Sequence, residues 1–173
     1  MRGHDLPDAA HKLAGEAEEV LNLAYDRSLK IATAESCTGG LLASLLTDIE
    51  GRSSSFERGF VTYSEEAKCE LLGVRTELIE RYTAVSPEVA EAMVLGALAG
   101  SKADVACSIT GFAGKGQDPG DEPGLVYIAA ARRGSKPLVE EYHFGDRGRE
   151  GVRHATVAEA LELLAEAIRQ PAP

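Results

Sequence analysis

Apolar positions recur along the chain with two periods, and the switches between them mark out the elements. After Asp8, residues Leu13, Ala17, Val20, Leu21 and Ala24 share one face of a 3.6-residue helix that ends near Asp26. Leu29 to Ala34 is short and β-compatible and stops at Glu35-Ser36-Cys37-Thr38-Gly39-Gly40, after which Leu41, Leu42, Leu45 and Leu46 return to helical spacing. The run Phe56 to Tyr63 is aromatic and β-branched at its end, which predicts a strand with Ser64 placed to cap the next helix. Two short helices between Glu65 and Tyr82 are separated near Gly73, with Thr76 a candidate cap of the second. Ser86-Pro87-Glu88 is a stronger start signal. Its serine oxygen, its imino nitrogen and its carboxylate each suit the orphan N–H groups of a first turn, and Gly100 supplies the stop. Val105 to Ile109 predicts a buried strand, followed by a glycine-rich loop from Thr110 to Gly124. Leu125 to Arg132 and Leu138 to Phe144 predict two more strands around an Arg133-Gly134-Ser135 turn, and a last helix runs from about Gly151 to Ile168 before the tail Gln170 to Pro173.

Helices interspersed among strands predict an α/β three-layer sandwich, a mixed β-sheet covered by helices on both faces. The adjacent strands near the C-terminus argue against a purely parallel sheet. No repeat, low-complexity stretch or linker interrupts the pattern, so residues 1–173 are expected to form a single domain with its core at about 12–168. A chain of 173 residues buries roughly 70% of its unfolded surface, enough for one core without staples.

The cysteines, Cys37, Cys69 and Cys107, are odd in number and widely spaced. The histidines, His4, His11, His143 and His154, form no ligand pair, so neither a disulfide framework nor a metal site is expected. A formal charge of −10 without any basic run opposes a nucleic-acid surface. No apolar run is long enough to span a membrane or to direct export, which predicts a cytoplasmic protein. An anionic ligand would have to be held locally, by backbone N–H groups or a few arginines.

Four segments carry candidate chemistry. At Glu35 to Gly40 a strand-to-helix corner offers close backbone approach and helix N–H groups to an anion, or else is only a capped turn. Cys37 there would be a nucleophile if the helix terminus lowered its pKa, or an inert core thiol. Ser53, Tyr63 and Lys68 bracket one strand. Lysine or tyrosine can accept a serine proton where histidine is scarce, but a lysine needs burial or neighbouring cations to be neutral near pH 7; otherwise the three are a polar loop, a strand aromatic and a solvated charge. Thr110-Gly111-Phe112-Ala113-Gly114-Lys115-Gly116 could form an anion nest after its strand, yet matches no nucleotide fingerprint and also reads as a surface loop. Arg147, Arg149 and Arg153 stand at a helix start, where the macrodipole favours acids, which points to a ligand or to ion pairs.

Taken in order, Ala34-Glu35-Ser36-Cys37-Thr38-Gly39-Gly40-Leu41, Val61-Thr62-Tyr63-Ser64-Glu65-Glu66-Ala67-Lys68, Leu71-Leu72-Gly73-Val74, Ala84-Val85-Ser86 and Thr110-Gly111-Phe112-Ala113-Gly114 resemble the CinA C-terminal domain family, the nicotinamide mononucleotide (NMN) deamidases. The resemblance implies an α/β fold, a homodimer or higher homo-oligomer, no metal and no cofactor. It implies hydrolysis of the carboxamide of NMN to nicotinate mononucleotide and ammonia, a step of pyridine-nucleotide salvage. Carried over residue by residue, it implies a catalytic Ser53, Tyr63 and Lys68, with Ser53 attacking the amide and Lys68, directly or through Tyr63, moving the proton. Ser36 matches a further active-site serine. Ser36, Thr38, Gly39, Gly40, Thr110, Gly111, Ala113, Gly114 and Arg149 are the implied substrate-binding positions.

Two departures from the family pattern bear on function. Lys115-Gly116-Gln117 stands where a proline- and glycine-rich turn is usual, and the spacing from Gly145-Asp146-Arg147 to Val152-Arg153 is longer than usual, with Arg149 at the fitting distance. The chain reads as a standalone version without the additional N-terminal domain of some relatives. The altered loop keeps a second reading open, a catalytically silent nucleotide-binding regulatory module on the same fold, and Cys37 a third, a thiol-dependent enzyme.

Overall fold

The computed structural model describes residues 6–116 and 118–171, without the side chains of residues 6–10. His4, Gln117 and the last two residues of the tail lie outside them. The elements run α1 (Leu6–Asp26), β1 (Ile31–Glu35), α2 (Leu41–Thr47), a 3-10 turn (Ser53–Ser55), β2 (Phe56–Val61), α3 (Glu65–Leu72), α4 (Thr76–Tyr82), α5 (Pro87–Ala99), β3 (Val105–Gly111), β4 (Leu125–Arg132), β5 (Leu138–His143) and α6 (Gly148–Arg169).

The sheet has the order β2-β1-β3-β4-β5. The first three strands are parallel, and β3-β4-β5 are antiparallel. The period-2 alternation of the strands sorts their side chains onto two faces. Ile31, Val105, Cys107, Ile109, Val126 and Ile128 pack against α1, α2 and α6. Ala32, Ala34, Ala106, Ala129 and Ala131 pack against α3, α4 and α5. The second face is lined with alanine, so its helices sit close. A Cβ on Gly96 of α5 would lie 1.9 Å from the Leu72 carbonyl oxygen of α3.

Local signals worked as their physics requires at Ser64 and Ser86, whose hydroxyls accept from Ala67 N and Val89 N. The cap of α4 is a correction. Arg75 occupies the N-cap without a side-chain bond, while the Thr76 hydroxyl lies 3.8 Å from Cys69 Sγ. Thr110 and Gly111 belong to β3 rather than to the loop, because antiparallel pairing with Tyr127 and Val126 extends that strand. The last helix begins at Gly148, earlier than expected, with Arg147 at its N-cap.

Strand order reverses at β1: the chain leaves it through α2 to β2 on one side, and β3 flanks it on the other. Loops at the carboxyl ends of such strands form a crevice. Here those loops are 36–40, 62–64 and 112–124, and Ser36 N donates to Ile109 O across the crevice floor at 3.0 Å.

Candidate active site

Ser36 leaves β1 at the head of this crevice. Its Oγ lies 3.0 Å from Lys68 Nζ, and Nζ also donates to Thr62 O at 3.0 Å. Lys68 reaches inward from α3 and is 2% exposed. Burial pulls its pKa below the ordinary lysine value, opposed more weakly by Cys37, Glu65 and Cys69. No carboxylate pairs with it among the described residues; its partners are a hydroxyl and a carbonyl. This is the environment that favours a neutral amine next to a hydroxyl.

The turn after Ser36 is held from below. Glu35, fully buried, accepts from Gly40 N, Leu42 N and Ala43 N at 3.2, 3.0 and 2.8 Å. Leu41 N donates to Thr38 O, and Gly39 N to Ser36 O. Gly39 and Gly40 take φ of 62° and 95°, which lets the chain double back within two residues. The helix N–H groups expected to be open to an anion are therefore occupied by Glu35. Among the described residues Cys37 N and Thr38 N donate to no other residue of the turn, and the Cys37 N–H faces only its own thiol.

On the far wall, α6 brings two arginines over the turns. Arg149 Nη2 stands 3.7 Å from where a Cβ of Gly114 would be, and Arg153 Nη2 stands 3.5 Å from that of Gly39 and donates to Thr38 O. Leu41, Arg149, Glu150, Arg153 and His154 line a cavity of about 340 Å³. Arg153 Nε and the Thr38 and Thr62 hydroxyls are buried without partners among the described residues. A larger cavity of about 580 Å³ lies between α1, α6 and β5, walled by Glu16, Glu19, Glu140, Glu162 and Glu166 among others. Its lining holds neither a serine nor a lysine.

The expected site residues divide by place. Ser36, Thr38, Gly39, Gly40, Gly114, Arg149 and Lys68 surround the crevice. Tyr63 stands at its edge, 66% exposed, its hydroxyl without a partner among the described residues. Thr110 directs its hydroxyl to Ala84 O at 2.7 Å, Gly111 presses on β4, where a Cβ would meet Leu125 O at 2.7 Å, and Ala113 is core. Ser53 is not brought to Lys68 within the chain. It is exposed in the 3-10 turn before β2, beside Arg52, which bonds to Asn22 of α1. The six residues of β2 then separate it from Thr62 by about 20 Å of strand rise.

Sequence reasoning assigned no role to Glu35, although a carboxylate just before a Gly-Gly turn and a helix is a capping signal. The spacing favours Arg149, whereas Arg153 also reaches the turn, at Thr38 O. Cys37 is no nucleophile: its side chain lies in the core and burial pushes its thiol up to about 12. Among the described residues no group of three or more His, Cys, Asp or Glu is arranged to hold a metal, and no helix is long and apolar enough to cross a membrane.

These features define a three-layer α/β domain with a buried serine–lysine pair at the head of its parallel strands. The chain belongs to the CinA C-terminal domain family, whose model matches residues 14–168. It is similar to the competence/damage inducible protein CihA of Agrobacterium tumefaciens, 42% identical with a TM-score of 0.87, covering 91% of this chain and 96% of that one. It is also similar to the nicotinamide-nucleotide amidohydrolase PncC of Escherichia coli K12, 44% identical over 150 residues, 86% of this chain and 90% of that protein. A competence-damage-inducible-type protein of Caldicellulosiruptor bescii is 43% identical over 155 residues, 87% of this chain, which spans only 36% of that relative's length.

Proposed function

We propose that the chain is an amidohydrolase that converts NMN and water to nicotinate mononucleotide and ammonia. The carrying observation is the buried 3.0 Å contact between Ser36 Oγ and Lys68 Nζ, and the likeness to PncC over most of both chains supports the substrate. Neutral Lys68 takes the proton of Ser36 as Oγ attacks the carboxamide carbon. Negative charge develops on the amide oxygen, where the N–H groups of Cys37 and Thr38 receive it. The intermediate collapses as the Lys68 ammonium gives its proton to the departing nitrogen, releasing ammonia and leaving a nicotinoyl ester on Ser36. Water then attacks the ester with Lys68 again the base, and nicotinate mononucleotide leaves. Arg149 and Arg153 hold the phosphate, and Tyr63 faces the positively charged pyridinium ring.

Ser53 enters this site from a second copy of the chain. β2 is an edge strand, and two β2 strands paired antiparallel about a two-fold axis at Arg58 would set Ser53 of one copy opposite Tyr63 of the other. The protein then acts as a homodimer or larger homo-oligomer in which the partner closes the open side of each crevice.

Ammonia release from NMN tests both statements. Wild-type protein should turn over, Ser36→Ala and Lys68→Ala should lose at least 10³-fold in kcat, and Ser53→Ala should be rescued in mixed dimers with a Ser36→Ala chain. Binding of NMN without ammonia release by folded wild type would make the protein a nucleotide-binding module instead.

A further inference from the structure

Glu35 is a fully buried carboxylate that the reaction above does not use. Both its oxygens face N–H groups of the first turn of α2, Oε2 those of Gly40 and Leu42 and Oε1 that of Ala43. A helix start of this kind ordinarily leaves such groups for water or a ligand. With the Leu41 and Gly39 N–H groups bonded inside the turn, every N–H from Gly39 to Ala43 has an acceptor, whereas among the described residues Thr38 N has none and Cys37 N faces only its own thiol, both adjoining Ser36.

Resting on the amidohydrolase reading, we propose that Glu35 is a positioning residue for catalysis, the anion that locks the turn so that the N–H groups of Cys37 and Thr38 stand beside the Ser36 hydroxyl. It does this from behind the turn and moves no proton. Its charge is satisfied by three donors, a charge-assisted set that a neutral side chain cannot replace. Gln would offer one acceptor oxygen and turn an NH2 group toward backbone donors, releasing at least one of the three bonds. Asp keeps the charge but falls one methylene short. The arrangement also places the substrate's phosphate elsewhere, because the α2 terminus is already filled by an internal anion.

Glu35→Gln, with folding checked by circular dichroism, should lower kcat for NMN at least thirtyfold while KM and the Kd for nicotinate mononucleotide change less than threefold. The acid limb of the kcat–pH profile should stay where the wild type has it, since Lys68 keeps its surroundings. Glu35→Asp should lie between the two, and carries the same test if the Gln variant does not fold. A folded variant with kcat within threefold of wild type overturns the proposal, and so does a loss of product affinity in step with kcat. If the wild type itself releases no ammonia from NMN, the amidohydrolase reading fails separately. Amide hydrogen exchange then decides Glu35: Gly40, Leu42 and Ala43 should be protected in the wild type and at least one of them should lose protection in Glu35→Gln, and unprotected wild-type amides, or protection unchanged in the variant, overturn the lock.

Discussion

Lys68 Nζ and Ser36 Oγ meet at 3.0 Å although thirty-two residues separate them in the chain. One directly follows an interior strand of the sheet, and the other is carried on a helix that follows the edge strand. Because the lysine is buried and no carboxylate among the described residues pairs with it, its pH behaviour is the most direct reading of the site. Its folded pKa is lowered by burial. The unfolded chain therefore holds that proton to higher pH than the folded one, and stability rises with pH from the lowered folded value up to the ordinary lysine value, remaining level above it. Activity should rise through the lower part of the same window, as the neutral amine forms. Lys68→Met should abolish the ammonia release and flatten this rise in stability, measured by urea unfolding at several pH values.

The arginines of α6 should separate by kinetics. Arg149→Ala should raise KM for NMN by about 10–100-fold, the worth of a charge-assisted contact, with kcat nearly unchanged. The effect should vanish with nicotinamide riboside, which lacks the phosphate. Arg153→Ala should raise KM and also lower kcat, because Arg153 donates to Thr38 O in the catalytic turn.

Cys37 adjoins the proposed nucleophile yet should be dispensable as a thiol. With a pKa of about 12, only about one thiol in 10⁴ is ionised at pH 8. Cys37→Ala should keep kcat within a fewfold of wild type, and iodoacetamide at pH 8 should leave Cys37 unlabelled in the folded protein, as judged by mass spectrometry.

Gly96 sets how closely α5 approaches the helix that carries Lys68. Its added Cβ would meet backbone, the Leu72 carbonyl oxygen at 1.9 Å, so the neighbour cannot swing aside. Gly96→Ala should cost about 2–3 kcal/mol in urea unfolding with an unchanged m-value, and should lower activity by displacing α3.

His143 links the end of β5 to the loop that precedes β4. Nδ1 lies 2.8 Å from Glu122 of the 112–124 loop and Nε2 lies 2.6 Å from Glu141 of β5, and the two carboxylates raise its pKa. A raised histidine stabilises fully below its unfolded value of about 6.5 and loses that contribution as pH climbs through the folded value. The Tm difference between wild type and His143→Ala should be widest at pH 5–6 and should close by pH 9.

The sequence by itself determined the element order, the mixed sheet and the caps at Ser64 and Ser86, because periodicity and capping are local properties of the chain. It also made the family legible through an ordered series of short motifs. It placed Ser36, Gly39, Gly40, Lys68, Gly114 and Arg149 among the site residues by that likeness. Spacing could not say which serine meets Lys68. Ser53 and Lys68 bracket one strand and look adjacent in sequence, yet a strand is extended, so bracketing it puts the two at its opposite ends. Ser36 reaches Lys68 only because β1 pairs beside β2 and α3 folds back over that pairing, a long-range register that no local pattern encodes. The same holds for Glu35, whose burial and three N–H partners depend on α2 closing over β1, and for Arg153, which reaches Thr38 across 115 residues. Local physics chose the pieces, and the packing of helices on both faces of the sheet chose which side chains face one another.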